Sequence, residues 1–241
     1  MPGLAPAQNV VVPNALANVE GNLNNGAPFN ISDFGRTSQR VQQVYASSQF
    51  SSFGGPALIT AISFRTDITF GSAFSTTLPS MQINLSTTSA LPDGLSSTFA
   101  SNVGSDDSMV YNGALTLSST NTGGPPHNFD IVITLQTPFL YDPALGNLLM
   151  DVRNFGAGTT TQFDAENTLG DSVSRLYSVP PDSVNDATGN TDTLGLVTQF
   201  TFAVPEPTTW ALIGVGTLGA GVVAWRKRQL AIKASMAQLR V

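Results

Sequence analysis

Residues 129–136 read Phe129-Asp-Ile-Val-Ile-Thr-Leu-Gln136, and this stretch decides the fold class. Every second residue, from Phe129 through Leu135, is large and apolar, whereas Asp130 and Thr134 lie among the residues between them. Successive side chains of a strand point to opposite faces, so a period of two is typical of a strand that buries one face. The stretch therefore predicts a half-buried β-strand.

The same alternation recurs along the chain. It is strong in residues 62–70, 81–86, 148–153 and 196–202, and weaker in residues 57–59, 109–111, 114–117, 162–164 and 172–177. Turn-forming clusters such as Gly54-Gly-Pro56 and Leu91-Pro-Asp-Gly94 separate these runs. Many short strands with turn residues between them predict a mainly β fold, a single antiparallel β-sandwich of jelly-roll or lectin-like type.

The run from Ile62 to Phe70 gives the most detailed expectation. Its apolar residues fall on alternate positions and predict one buried face, and Arg65 and Asp67 fall on the opposite, solvent-facing side. We therefore expect both charged side chains on the surface.

Charge is scarce and unevenly distributed. Charged residues make up 11% of the 241 residues. Residues 1–204 contain fifteen acidic residues against five arginines and no lysine, a balance of −10, and residues 205–241 balance at +4. Phosphate binding needs a cationic face, so an acidic, lysine-free body argues against nucleic acid as a partner. The absence of cysteine excludes disulfides, thiolate nucleophiles and cysteine-ligated zinc.

The end of the chain has three parts in a fixed order. Val204-Pro205-Glu206-Pro207 is a proline-rich turn, an uncharged apolar run extends from Thr208 to Trp225, and the basic cluster Arg226-Lys227-Arg228 follows directly. The run of 18 residues is near the lower limit for a helix that crosses ~30 Å of hydrocarbon. It predicts a transmembrane helix over about residues 208–225.

Two features orient this predicted helix. Trp210 and Trp225 lie near its ends, where indole rings prefer the membrane–water boundary. Positive charge beside a span stays cytoplasmic, so Arg226, Lys227 and Arg228 place residues 229–241 in a cytoplasmic tail and residues 1–205 on the other side of the membrane.

Residues 204–228 together resemble the PEP-CTERM sorting signal of Gram-negative bacteria. The resemblance implies export, membrane insertion and processing by the membrane protease exosortase near Pro205-Glu206-Pro207. It also implies a final place on the cell surface or in the exopolysaccharide matrix of a biofilm. Residues 12–22 and 138–152 are similar to stretches in a group of PEP-CTERM proteins. This resemblance implies an exported body that is rich in β-structure, and it implies no particular activity. The chain departs from the pattern by continuing thirteen residues past Arg228.

These features predict three regions. Residues 1–203 are an extracytoplasmic β-sandwich domain in which 1–28 form an irregular segment, residues 204–228 are the sorting signal, and residues 229–241 are the tail. An exported protein begins with a basic segment and an apolar stretch. Met1–Gln8 contains neither, although Ala5-Pro6-Ala7 matches the small-residue end of a leader. Either a leader begins upstream of Met1 or the tripeptide is a coincidence, and we expect the first.

One loop of the body has the composition of a calcium site. The segment 182–192 contains five oxygen-bearing side chains, on Asp182, Asn185, Asp186, Asn190 and Asp192. Hard cations prefer six to eight oxygen ligands. The segment lacks the residue order of an EF-hand, so the alternative is a polar turn without a bound ion.

Other chemistry is weakly indicated. His127 is the single histidine, without a Gly-x-Ser-x-Gly motif, and we expect it to be an exposed loop residue. Asp151, Asp164 and Glu166 are candidates for a glycosidase pair, but their spacing selects no pair. Both tryptophans lie in the apolar run, which weakens a sugar-binding platform in the body.

The expected function is therefore a non-enzymatic, exported surface or matrix protein without a cofactor. Its expected partners are exosortase, the membrane and an exopolysaccharide. The alternative is a carbohydrate- or calcium-binding β-sandwich module of the extracellular matrix.

Overall fold

The computed structural model describes residues 7–32, 35–53, 55–156, 158–179 and 184–203. Strands dominate this part of the chain, joined by turns and three short 3-10 helices at Asn14–Leu16, Ser47–Phe53 and Phe99–Asn102. In chain order the strands are β1 (Gln8–Val12), β2 (Leu23–Asn25), β3 (Gln39–Tyr45), β4 (Ala57–Phe64), β5 (Phe74–Thr88), β6 (Ser108–Ser119), β7 (Ile131–Tyr141), β8 (Asn147–Asn154), β9 (Phe163–Asn167), β10 (Val173–Tyr177), β11 (Asn190–Asp192), β12 (Leu194–Leu196) and β13 (Thr198–Ala203).

The strands form three antiparallel sheets. A four-stranded sheet has the order β1-β13-β4-β7, a six-stranded sheet has the order β11-β10-β3-β8-β5-β6, and a small sheet has the order β12-β9-β2. All the strand pairs in these sheets run antiparallel. The prediction of a mainly β, antiparallel body is confirmed, and the jelly-roll or lectin-like type stays a prediction.

Side chains from the two larger sheets meet in one hydrophobic core. Tyr45 of the six-stranded sheet packs edge-on against Phe200 of the four-stranded sheet, with ring centroids 4.9 Å apart. Phe50, from a 3-10 helix, contacts Phe200 and Tyr141 at 5.6 and 5.1 Å. Such aromatic pairs add to the free energy already gained by burying their area.

The strand that decides the fold behaves as its period predicts. Ile131, Ile133 and Leu135 are buried, whereas Val132 between them is 47% exposed. Regular β-structure begins at Ile131, two residues after Phe129. The alternating positions of β5, β8 and β13 also supply core residues, so those predicted strands are confirmed.

The expectation for residues 62–70 is wrong beyond Phe64. Strand β4 ends at Phe64, and both Arg65 and Asp67, which were expected on the surface, are buried, whereas Phe70 is 64% exposed. The predicted faces are therefore reversed at this end. The cause is a turn in which Asp67 Oδ1 accepts hydrogen bonds from the Thr69 and Phe70 backbone N–H groups. A short side chain that satisfies nearby backbone groups competes with continued strand pairing.

The N-terminal segment contains regular structure where an irregular segment over 1–28 was expected. Gln8–Val12 forms β1 and pairs with β13, and Leu23–Asn25 forms β2 and pairs with β9. Pairing with strands far along the chain decided this structure, because the local sequence is rich in turn formers.

Among the residues that the structure describes, no helix is long and apolar enough to cross a membrane. The predicted span over about residues 208–225 lies outside the described residues.

Phe200→Ala should lower the free energy of unfolding by about 3–5 kcal/mol, because it leaves a cavity among Tyr45, Phe50 and neighbouring core side chains. Denaturant unfolding of the full chain measures the effect. The control is Leu140→Ala on β7, which is 50% exposed and should change stability much less. Equal losses in the two variants would contradict the placement of Phe200 in the core.

Candidate functional site

The side chain of Arg65, directly after β4, contacts several segments that are far apart in the sequence. Its Nε donates to Asp164 Oδ2 at 2.7 Å, and its Nη2 lies 2.6 Å from the same oxygen. Nη2 also donates to the backbone oxygens of Leu16 and Val19 at 2.9 and 2.6 Å. The guanidinium carbon lies 4.7 Å from the centroid of the Phe129 ring, a cation–π distance. One buried cation thus joins four segments of the chain.

Asp164 on β9 completes this connection from the other side. Its Oδ1 accepts a hydrogen bond from Gly21 N at 2.9 Å. Its backbone N–H donates to Arg65 O at 3.1 Å, and its carbonyl accepts from Val197 N at 3.0 Å. The side chains of Arg65 and Asp164 are both fully buried.

Two further carboxylates, those of Glu20 and Asp67, lie beside Asp164 of this ion pair. Glu20, Asp67 and Asp164 each have a carboxylate oxygen within 4.8 Å of the others. Glu20 Oε1 accepts from Ile68 N at 2.9 Å, whereas Oε2 is buried and has no hydrogen-bond partner among the described residues. Carboxylate oxygens are the ligands that calcium prefers, so this group has the donor chemistry for a hard cation. The arrangement also places three acidic groups beside one arginine.

Burial sets the ionisation of Asp164. The pKa of its carboxyl group is raised from 3.8 to about 6, with desolvation as the largest cause and the charge of nearby Glu20 acting in the same direction. The positive charge of Arg65 opposes this rise and does not cancel it.

An open polar pocket lies on the other side of Arg65. It has a volume of about 470 Å³, and its lining includes Asn18, Arg65, His127, Phe129 and Gln199. Because Arg65 is buried and still lines the pocket, it forms part of the inner wall.

His127 is in the loop before β7, but the expectation that it is exposed is wrong. It is 8% exposed, and its Nδ1 lies 2.8 Å from Thr66 Oγ1 and 3.3 Å from Thr66 O. These contacts to the residue after Arg65 hold the loop over the end of β4.

The predicted calcium loop is only partly within the described residues, since Asp182 lies outside them. Asn190 and Asp192 belong to β11, and Asn185 and Asp186 precede it. Both carboxylate oxygens of Asp192 accept hydrogen bonds from Arg175 at 2.9 Å. That ion pair joins β11 to β10 and gives Asp192 a structural role, while calcium binding by the loop stays a prediction.

The candidate glycosidase carboxylates are held by separate partners. Asp151 on β8 forms an ion pair with Arg40 and accepts a hydrogen bond from Gln42 at 2.8 Å. Asp164 pairs with Arg65, and Glu166 accepts from Asn22 Nδ2 at 2.7 Å. Each carboxylate thus has neighbours that fix it in the fold.

Sequence reasoning missed Arg65 as the centre of this region. The signal was available, because an acidic body with five arginines and no lysine has few cations for its carboxylates. It was outweighed by the alternation of Ile62–Phe70, which assigned Arg65 to the surface.

The sorting residues Val204, Pro205, Glu206 and Pro207 and the predicted membrane anchor Trp210, Trp225, Arg226, Lys227 and Arg228 lie outside the described residues. Comparison with protein families matches residues 203–229 to the PEP-CTERM protein-sorting motif. No curated protein matches the chain. The matched segment begins at Ala203, the last residue of β13.

Arg65→Met should lower the free energy of unfolding by about 3–5 kcal/mol, because it leaves Asp164 buried without its cation. The control is Arg153→Met, whose side chain is 31% exposed and 4.0 Å from Asp151, and which should cost about 1 kcal/mol or less. Denaturant unfolding at neutral pH measures both. A cost for Arg65→Met as small as the control would contradict a structural role for the buried pair.

The raised pKa of Asp164 predicts a pH dependence of stability. The folded state binds this proton more tightly than the unfolded chain, so the contribution of Asp164 to stability falls as pH rises from about 4 to about 6 and is larger on the acidic side. The change should be about 1–3 kcal/mol.

Asp164→Asn should remove this slope, since the variant cannot titrate at this position. The measurement is the free energy of unfolding between pH 4 and 7, with Asp107→Asn, at an exposed site, as the control for the loss of one carboxylate. A wild-type slope that Asp164→Asn leaves unchanged would show that other groups cause it.

Proposed function

We propose that this PEP-CTERM protein is a non-enzymatic component of the cell surface or extracellular matrix that exosortase processes at its C-terminal signal. The motif at residues 203–229 carries the proposal, since it marks a protein that exosortase sorts to the cell surface. In this proposal the β-rich body is the part that is exported, and the segment after it is the signal that directs sorting.

The position of the motif supports this division. Strand β13 ends at Ala203 and lies between β1 and β4, so it is paired on both sides. All thirteen described strands therefore precede residue 204. Cleavage near Pro205-Glu206-Pro207 would leave every one of these strands in the released body.

The apolar run supports a membrane intermediate. A helix over about residues 208–225 would insert in the inner membrane, with Arg226, Lys227 and Arg228 on the cytoplasmic side. Exosortase would then cut on the outer side, and the body would pass to the surface or the exopolysaccharide. The tail 229–241 would stay in the cytoplasm.

The chemistry of the body supports a non-enzymatic role. Asp151 and Asp164 are two of the three carboxylates that the sequence suggested for hydrolysis, and each is buried against an arginine. The third, Glu166, accepts a hydrogen bond from Asn22. A general acid must instead reach the bond that it protonates.

The second candidate function is a carbohydrate- or calcium-binding module within the matrix. The open pocket beside Arg65 favours a carbohydrate, because polar side chains line it and it is large enough for a small ligand. For calcium, the Arg175–Asp192 ion pair already uses one carboxylate of the predicted loop 182–192.

Glu206→Ala in the native host should stop processing, so that the full-length chain accumulates in the membrane fraction in place of the released body. Mass spectrometry and cell fractionation measure the change. Asp107→Ala, which removes an exposed carboxylate from the body, is the control and should be processed normally. Normal processing and release of Glu206→Ala would refute exosortase recognition through this motif.

A further inference from the structure

The ends of three strands build the polar pocket, and this gives it a defined geometry. Gln199, the second residue of β13, pairs with Val11 on one side and Ser63 on the other. Phe64 at the end of β4 pairs with Ile131 at the start of β7. Antiparallel pairing therefore brings the start of β13, the end of β4 and the start of β7 to one end of the four-stranded sheet. Residues at these strand ends line the pocket together with Ala17 and Asn18, which follow β1.

Side chains that the fold does not use for its own hydrogen bonds line this pocket. Within the described part of the chain, the side-chain amides of Asn18, Asn128 and Gln199 have no intramolecular hydrogen-bond partner. Asn18 and Asn128 are exposed, and Gln199 is partly exposed because Phe200 beside it points into the core. Each amide offers both donors and an acceptor, which suits a ligand with several hydroxyl groups.

The pocket also has an aromatic surface. The Phe129 ring is partly exposed, and Arg65 packs against it at 4.7 Å. Contact with Arg65 and a position just before β7 fix this ring, so the orientation of the surface is set before a ligand arrives. An aromatic ring beside several amides can contact the apolar C–H face of a sugar while the amides bind its hydroxyls.

The charges around the pocket select among polar ligands. Arg65 is the one arginine or lysine among the described residues of its lining, and its Nε and Nη2 are paired with Asp164. Carboxylate oxygens of Glu20 and Asp67 lie within 4.8 Å of one of Asp164, so the surroundings of the pair carry more negative than positive charge. Arg65 Nη1 has no hydrogen-bond partner among the described residues, but it is buried, so a ligand with a carboxylate or phosphate would meet mainly the negative charge of these carboxylates.

We infer that the pocket lined by Asn18, Asn128, Phe129 and Gln199 binds a neutral, hydroxyl-rich sugar unit of a polysaccharide. The inference rests on the second candidate function proposed above, and it names both the site and the ligand class. The amides bind hydroxyl groups directly, and no divalent cation takes part. The volume of about 470 Å³ is in the range of small-ligand pockets, ~300–1,000 Å³.

The test measures binding of the full chain, solubilised in a detergent without a sugar headgroup, to an array of neutral and uronic-acid oligosaccharides. The neutral oligosaccharide with the strongest signal is then titrated against the wild type and against Asn18→Ala, Asn128→Ala and Gln199→Ala. Loss of one hydrogen bond should weaken binding about fivefold in each variant. Asn112→Ala on β6, which removes an exposed amide outside the pocket, is the matched control and should bind as the wild type does.

Three results would overturn the assignment. They are unchanged affinity in all three pocket variants, stronger binding of uronic-acid than of neutral oligosaccharides, and loss of binding when a chelator removes divalent cations. A wild-type chain that binds no neutral oligosaccharide would also refute it. That last result would leave exosortase processing untouched, since the Glu206→Ala experiment measures processing separately.

Discussion

The buried ion pair between Arg65 and Asp164 is the interaction on which the polar region around the pocket depends. It links the end of β4 to β9, and the same guanidinium binds the backbone at Leu16 and Val19. A buried charge is costly unless it is fully paired, so these groups hold one another in place. Because the Arg65 guanidinium also packs on Phe129, the pair fixes one wall of the neighbouring pocket.

Other arginines of the body also form ion pairs with carboxylates. Arg40 pairs with Asp151, Arg175 pairs with Asp192, and Arg65 pairs with Asp164, so three of the five body arginines join strands within the fold. The aromatic core between the two larger sheets supplies the apolar part of the stability. Arginine suits this structural use because its planar guanidinium presents several donors to carboxylates and carbonyls.

The last described strand ends where the matched sorting motif begins. Gln8 pairs with Phe202, so the first and last described strands lie side by side at one sheet position, and the motif begins as β13 ends. Strand β13 lies between β1 and β4, so both of its edges are paired before the motif begins, which suits the proposed processing after residue 203. The polar pocket is at the opposite end of β13 from this junction, near Gln199.

The sequence by itself determined the antiparallel β class and the sorting address. Both are local patterns: the alternation of apolar residues in 129–136, and the turn, apolar run and basic cluster in 204–228. Each can be recognised without knowing which distant residues it contacts. Only the tertiary structure decided that β1 and β2 form, that Arg65 and His127 are buried, and that Asn18 and Gln199 share a pocket. These features depend on pairing between distant segments. The alternation of apolar residues indicates only which face of a strand a side chain is on. It does not indicate which distant residue that side chain will contact.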